Sequence, residues 1–314
     1  MSDSKEEQSK LFDQLKKLDT EQRNEASMEI DLADARTIAS IINQEDQKVA
    51  KQVESKLDKI AEAIEAVKEA LSSGGRLIYA GAGTSGRLGV LDAAECPPTF
   101  GTKPEKIIGL IAGGKEAMFE AQEGAEDYEK NGRNALRDVN LSSKDVVCGL
   151  AASGRTPYVH GALKEAKELG CKTIFVTTVP GDQVDLDADI MIDVPVGPEV
   201  IMGSTRMKSA TAQKMVLNMI TTGAMVRKGK VYENVMVDLM LSNEKLKERA
   251  KRIIMMFSDV NYDRASELLK ESNGHVKTAL LMQLGRVNKS RAEELLEQHN
   301  GFIRKALLSL QKED

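Results

Sequence analysis

The sequence predicts an α/β fold: a doubly wound, mainly parallel five-stranded sheet, with helices before it and a small helical subdomain after it. Three observations carry this. Short β-branched runs at Leu77–Ala80, Ile107–Ile111, Val146–Leu150, Thr173–Thr178 and Ile190–Val196 alternate with amphipathic runs, and apolar strands interleaved with helices indicate a parallel sheet covered on both faces. Two strand-to-helix junctions are polar turns rich in Gly, Ser, Thr and Arg. The carboxy-terminal part carries an internal helical repeat.

A chain of 314 residues, 41% hydrophobic and 30% charged, is long enough to bury a full core as one main domain with accessories. Its net charge of -5 argues against nucleic acid as the main partner. No apolar stretch approaches the roughly 20 residues needed to span a membrane. The amino terminus, Met1-Ser2-Asp3-Ser4-Lys5-Glu6-Glu7, has no apolar signal core, so a cytoplasmic location is expected.

Residues 1–58 are polar and helix-prone, and a frayed start followed by helices is expected. Ile60, Ile64, Val67 and Leu71 then recur at helical spacing until Ser72-Ser73-Gly74-Gly75 stops the helix. The first strand runs into Gly81-Ala82-Gly83-Thr84-Ser85-Gly86-Arg87, and the chain continues through Leu91-Asp92-Ala93-Ala94-Glu95-Cys96-Pro97-Pro98. Glycines at such a turn let backbone approach a ligand, and the first N–H groups of a helix, unpaired within it, point at an anion. Gly81, Gly83 and Gly86 also satisfy the G-x-G-x-x-G pattern, so phosphate and dinucleotide readings both stand here. A dinucleotide site wants an acid about 20 residues on for the ribose hydroxyls. The second strand ends instead in Ala112-Gly113-Gly114-Lys115. Thr84, Ser85 and Arg87 add donors suited to a phosphate monoester, which favours phosphate.

The second polar turn, Ala151-Ala152-Ser153-Gly154-Arg155-Thr156-Pro157, follows the third strand and mirrors the first, with Pro157 suited to an early helical position. Ligands of such sheets bind at the carboxyl ends of the strands, so both turns should open on one edge. Gly203 to Gly229, including Ser204-Thr205-Arg206-Met207-Lys208, reads as a further helix whose start faces the same pocket. Cys96, Cys148 and Cys171 are too few and scattered for a disulfide framework or a zinc site. A Cys96 thiol at the site would need His160, since His275 and His299 fall in the carboxy-terminal helices; a catalytic pair of this kind is disfavoured, and no metal is expected. In the tail, Val260-Asn261, Arg264-Ala265, Leu268-Leu269, Asn273-Gly274 and Ala279-Leu280 recur 27 residues later, Val260 against Val287. Each unit reads as a helix closed by Asn-Gly and then a second helix, a subdomain for interaction or assembly.

Gly81 to Pro98, Gly124-Ala125-Glu126-Asp127, Ala151 to Tyr158 and Gly203 to Lys208 together resemble the bacterial N-acetylmuramic acid 6-phosphate etherases, sugar isomerase-type domain proteins related to glucokinase regulatory protein. The likeness runs from about Asn24 to the end. It departs from the broader Ser-x-Ser-Gly-x-Thr loop pattern by having Ala151 first, a loss that Ser85 or backbone amides would offset. The division it suggests is an N-terminal helical segment over 1–58, a phosphosugar-binding domain over 59–230 and a helical subdomain over 231–314.

The resemblance implies cleavage of the lactyl ether of N-acetylmuramic acid 6-phosphate to N-acetylglucosamine 6-phosphate and D-lactate, during cell-wall sugar recovery. Ring opening gives a C1 aldehyde that acidifies the C2 proton, lactate leaves from C3, and water adds back. Two carboxyl groups suffice for these proton transfers, without metal or redox cofactor. By resemblance they are Glu95 and Glu126. Glu95 lies among Ala, Cys and two prolines, where partial burial would raise its pKa. Glu126 has a plainer alternative, a solvated helix face with Glu120, Glu123 and Asp127. Substrate contacts are expected from Gly83, Thr84, Ser85, Arg87, Ser153, Gly154, Arg155, Thr156, Ser204 and Lys208. A phosphosugar isomerase and a non-catalytic phosphosugar sensor are the rivals, and a homodimer is expected.

Overall fold

The structure, a computed structural model, describes residues 19–241 and 243–313. The expected frayed start lies outside the described residues. The described residues form two compact units, one of those up to Asp92 with Ile107–Ile220, the other of Ala93–Lys106 with those from Thr221 onward.

The first unit is built on a sheet of five parallel strands, β1 (Leu77–Gly81), β2 (Ile107–Ile111), β3 (Val146–Leu150), β4 (Lys172–Thr177) and β5 (Ile190–Asp193), in the order β2-β1-β3-β4-β5. The inner strands β1 and β3 are buried throughout, which is why they read as unbroken apolar runs, while edge strand β2 is half-buried along its middle. Helices cover both faces. α1 (Ala35–Glu54) starts at Asp34, whose carboxylate accepts the Thr37 N–H at 2.7 Å. α2 (Leu57–Ser72) buries Ile60, Ala63, Val67 and Leu71 and ends where expected. It packs on β1, β3 and β5. On the same face Tyr79 of β1 donates to Asp92 of α3 (Gly83–Phe100) at 2.8 Å, and Asn218 of α6 (Lys208–Arg227) donates to the other Asp92 oxygen at 2.7 Å. The opposite face is closed by α4 (Glu129–Asp138) and α5 (Pro157–Glu168), with Leu136, Val159, Ala162 and Leu163 against Ile78, Val147 and Phe175.

In register, Gly81 stands opposite both Ile111 and Leu150. The ends of β1, β2 and β3 are therefore level, and their loops leave from one edge. Reversal of strand order between β1 and β3 makes that point the topological switch, where open α/β sheets form their crevice.

The second unit holds a short antiparallel hairpin, β6 (Val231–Tyr232) with β7 (Val235–Met236), which the sequence pattern did not announce, and helices α7 (Glu244–Ser258) to α11 (Ile303–Glu313). The repeat is α8 (Tyr262–Glu271) with α9 (Val276–Gly285), then α10 (Lys289–Gln298) with α11. Asn261 and Asn288 cap their helices by accepting the N–H of Arg264 and Arg291, both at 2.9 Å. At the other end Gly274 and Gly301 donate to Leu269 and Leu296 carbonyls, both at 2.7 Å, with left-handed Asn-Gly pairs closing each helix. Ala265, Leu268, Ala279 and their repeats Ala292, Leu295 and Ala306 share one core.

Candidate active site

The loop after β1 is held close to the strand by the absence of side chains. A Cβ on Gly86 would stand 2.8 Å from the Gly81 carbonyl oxygen, and one on Gly81 2.8 Å from the Gly86 Cα. Only this pair of glycines lets α3 begin at once, with Gly83 in the left-handed region (φ +51°) and the first amides of the helix unpaired within it. The loop after β3 is fixed differently. Thr177 and Thr178 both donate to the Ala152 carbonyl at 3.1 Å, and His160 Nε2 lies 2.8 Å from the Gly154 carbonyl. His160 thus secures a turn, edge-on to Phe175, and the three cysteines are all buried. Burial pushes the Cys171 thiol up to about 11 and Cys148 higher still, the opposite of an activated thiol.

Between these loops lies a cavity of about 320 Å³. Its walls are Ala82 to Ser85 from the first loop, Ala152, Ser153, Arg155, Thr156 and Pro157 from the second, Glu126 and Asp127 from the connection after β2, and Thr205. The N-terminus of α3 opens here, and its first amides, unpaired within the helix, favour an anion. The first turn of α5 offers none, since Pro157 has no N–H, Tyr158 donates to the Glu126 carbonyl, and Val159 and His160 donate to that of Thr156. Thr156 precedes α5 without spending its hydroxyl on a cap, and Pro157 takes the first position. Serine and threonine hydroxyls, Arg155 and the start of α3 thus share one cavity with Glu126 and Asp127.

Glu126 lies on a turn rather than the helix face that its acidic neighbours suggested. Its carbonyl accepts the Tyr158 N–H of α5 at 2.9 Å, docking the turn against the second loop. The residue as a whole is exposed, yet partial burial of its carboxyl and, second, the neighbouring Asp127 charge raise its pKa. A carboxyl held above its ordinary range beside anion-binding loops is suited to proton transfer.

Several expected contacts are differently engaged. Arg87 points its guanidinium at backbone: Nε donates to the Met118 carbonyl at 3.2 Å, bracing the segment after β2, and Arg87 is absent from the lining. Lys208 is 2% exposed, and its ammonium donates to Glu45 of α1 at 2.7 Å. Burial alone would raise the Glu45 carboxyl, but Lys208, Lys48 and Asn24 together bring it down to about 2. The helix expected from Gly203 starts only at Lys208, because Glu199 accepts the N–H groups of Lys208 and Ser209 at 3.0 and 2.9 Å and caps α6 there. In the turn before that cap it is Thr205, not Ser204, that lines the cavity. Gly154 shapes its loop in the left-handed region (φ +76°) without lining the cavity. Glu95 is exposed, not partly buried: Asp92, Ala93 and Cys96 occupy the buried face of α3, and Glu95 falls on its outer face with Leu91, Ala94 and Pro98. It lies on the stretch of α3 belonging to the second unit, whereas the cavity's walls come from the first alone.

The glucokinase regulatory protein N-terminal SIS domain matches residues 59–167, and the SIS domain matches residues 117–223. An N-acetylmuramic acid 6-phosphate etherase from Salinibacter ruber is 58% identical over 275 residues, 87% of this chain and 88% of that protein. The chain belongs to the N-acetylmuramic acid 6-phosphate etherase family. Etherases from Clostridioides difficile and Bacillus subtilis are 53% and 52% identical, over 87% and 85% of this chain and 90% and 88% of theirs. The sheet described above is the SIS-type α/β architecture of this etherase family. Among its described residues no helix is long and apolar enough to cross a membrane, and no three His, Cys, Asp or Glu side chains group as a metal site.

Proposed function

We propose that this chain cleaves the lactyl ether of N-acetylmuramic acid 6-phosphate, releasing D-lactate and N-acetylglucosamine 6-phosphate. The observation that carries the reading is Glu126, a carboxyl of raised pKa lining one cavity with two phosphate-type loops, in a chain of this family. Ser153, Thr156, Thr84, Arg155 and the α3 amides hold the sugar phosphate. Glu126 removes the C2 proton of the ring-opened aldehyde or delivers the matching proton, and the C3–O bond breaks with its electrons leaving on the lactate oxygen. That oxygen gains a proton, a C2–C3 double bond forms, and water adds its oxygen to C3 while a proton returns to C2. Atoms balance as ether plus water giving alcohol plus lactate.

Glu95 is the second carboxyl of the proposal, by resemblance, sharing these proton transfers. A homodimer working in the cytoplasm belongs to the same reading, and light scattering showing only monomer at working concentration argues against the dimer. The reaction is tested by D-lactate release from N-acetylmuramic acid 6-phosphate beside the unphosphorylated sugar, with chelator present. Release from the phosphorylated sugar alone is expected. Binding without release returns the protein to the isomerase or sensor readings, which an aldose–ketose assay separates.

A further inference from the structure

Ser85 lines the cavity, yet its hydroxyl is bonded to a residue outside the lining. Its Oγ donates to Gln213 Oε1 of α6 at 2.7 Å. A serine hydroxyl carries one proton. With that proton on Gln213, the Ser85 oxygen keeps only its lone pairs for any further partner. Gln213 is 1% exposed, and its amide nitrogen is buried without a hydrogen-bond partner. So is the hydroxyl of Ser209, four residues earlier on the same face of α6. Buried polar atoms left unpaired carry a desolvation cost that apolar side chains of the same shape would avoid. A buried amide that satisfies a cavity hydroxyl and little else has its effect through that hydroxyl.

We propose that Gln213 is a positioning residue that fixes the polarity of Ser85. By holding the Ser85 proton it makes Ser85 an acceptor for a hydroxyl or amide N–H of the sugar, and leaves the phosphate to Thr84, Ser153, Thr156 and the α3 amides. This rests on the phosphosugar reading of the cavity and reverses the role expected of Ser85 from sequence, that of a phosphate donor.

The test compares N-acetylglucosamine 6-phosphate with inorganic phosphate by titration calorimetry on the full chain. Ser85→Ala and Gln213→Met are each expected to weaken the sugar phosphate about five- to tenfold, the worth of one neutral hydrogen bond. Inorganic phosphate should hold within about twofold, and Ser85→Ala/Gln213→Met should be no weaker than either single variant, since Gln213 acts only through Ser85. A merely structural glutamine would give additive losses, which overturns the proposal. Equal losses for the sugar phosphate and for inorganic phosphate overturn it too, because they make Ser85 a phosphate donor. Should Gln213→Met not fold, Gln213→Ala takes its place in the cycle, and Ser85→Ala by itself still decides, by the same two ligands, whether Ser85 accepts from the sugar or donates to the phosphate. Wild-type protein that binds the sugar phosphate but releases no lactate from the etherase substrate fails the etherase reading and leaves this inference standing, whereas binding of neither ligand removes both.

Discussion

Glu126 concentrates the chemistry at the residue scale, because its environment disfavours the charged form that a base must adopt. Its pKa is raised, by partial desolvation first and by Asp127 second. If Glu126 acts as the base, the acid limb of kcat/KM should lie above the ordinary glutamate range, activity appearing as pH rises through that raised value. Asp127→Asn removes the like charge and should move the limb to lower pH; a pH profile unchanged by it would separate Glu126 from the limb. Glu126→Gln should lower kcat by roughly 10²–10⁴ while product binding survives. Glu95→Gln should do the same if the exposed α3 carboxyl shares the proton transfers, and near wild-type turnover would remove it from the mechanism. The phosphate contacts predict a different pattern. Ser153→Ala and Thr156→Ala should each cost about 1.5–3 kcal/mol of substrate binding, as charge-assisted hydrogen bonds do, read as a higher KM. An unchanged KM would count against the second loop as the phosphate site.

At the scale of the element, the first loop works because two glycines replace packing with close approach. Gly86→Ala must push either the start of α3 or the end of β1, since its Cβ would stand 2.8 Å from the Gly81 carbonyl and 2.7 Å from an Ile111 side-chain carbon. About 1–3 kcal/mol of stability should be lost, as in overpacked cores, together with turnover, because the displaced amides face the cavity. Thermal melts beside lactate assays check this. The run Gly81 to Arg87 was legible as an anion loop in the sequence, but the direction of its side chains was not. Arg87 follows the loop in sequence and turns to the carbonyl of Met118. Ser204 and Thr205 are neighbours of equal chemistry, and only the turn ending at the Glu199 cap decides that Thr205 lines the cavity.

Across the whole molecule, each compact unit holds a cluster in which buried opposite charges are paired. In the first unit Glu45 and Lys208, 3% and 2% exposed, satisfy one another. In the second, Asp238 accepts from Lys277 at 2.8 Å, with Lys230 at 2.9 Å and His275 Nε2 at 3.5 Å. Burial would raise the Asp238 carboxyl, but His275, Lys277 and Lys230 hold it well below the usual aspartate range. Burial in turn lowers the Lys277 pKa, against the pull of Asp238. Because Asp238 binds its proton less tightly folded than unfolded, its stabilising effect is complete at neutral pH. It declines as pH falls below the ordinary value of about 3.9 toward its own lower one. Asp238→Asn should destabilise the second unit by about 3–5 kcal/mol at neutral pH, because it leaves buried Lys277 without its counter-charge. The loss should shrink in acid, and a variant whose melting point tracks the wild type at every pH would show that the cluster contributes nothing.

The five parallel strands, the two polar turns, the 27-residue repeat with its paired Asn-Gly stops, and the family are all legible from residue order. Each is written in local chemistry: apolar runs, glycines that relieve backbone crowding, and side chains that cap the helix they begin. Which polar side chains share the cavity is set by packing between distant segments. Lys208 meets Glu45 across 163 residues and Ser85 meets Gln213 across 128, and Glu126 reaches α5 through a turn that reads as a helix in one dimension. A charge or hydroxyl looks the same in sequence whether it faces a ligand or a buried partner. The partner comes from a distant part of the chain, and packing determines which partner it meets.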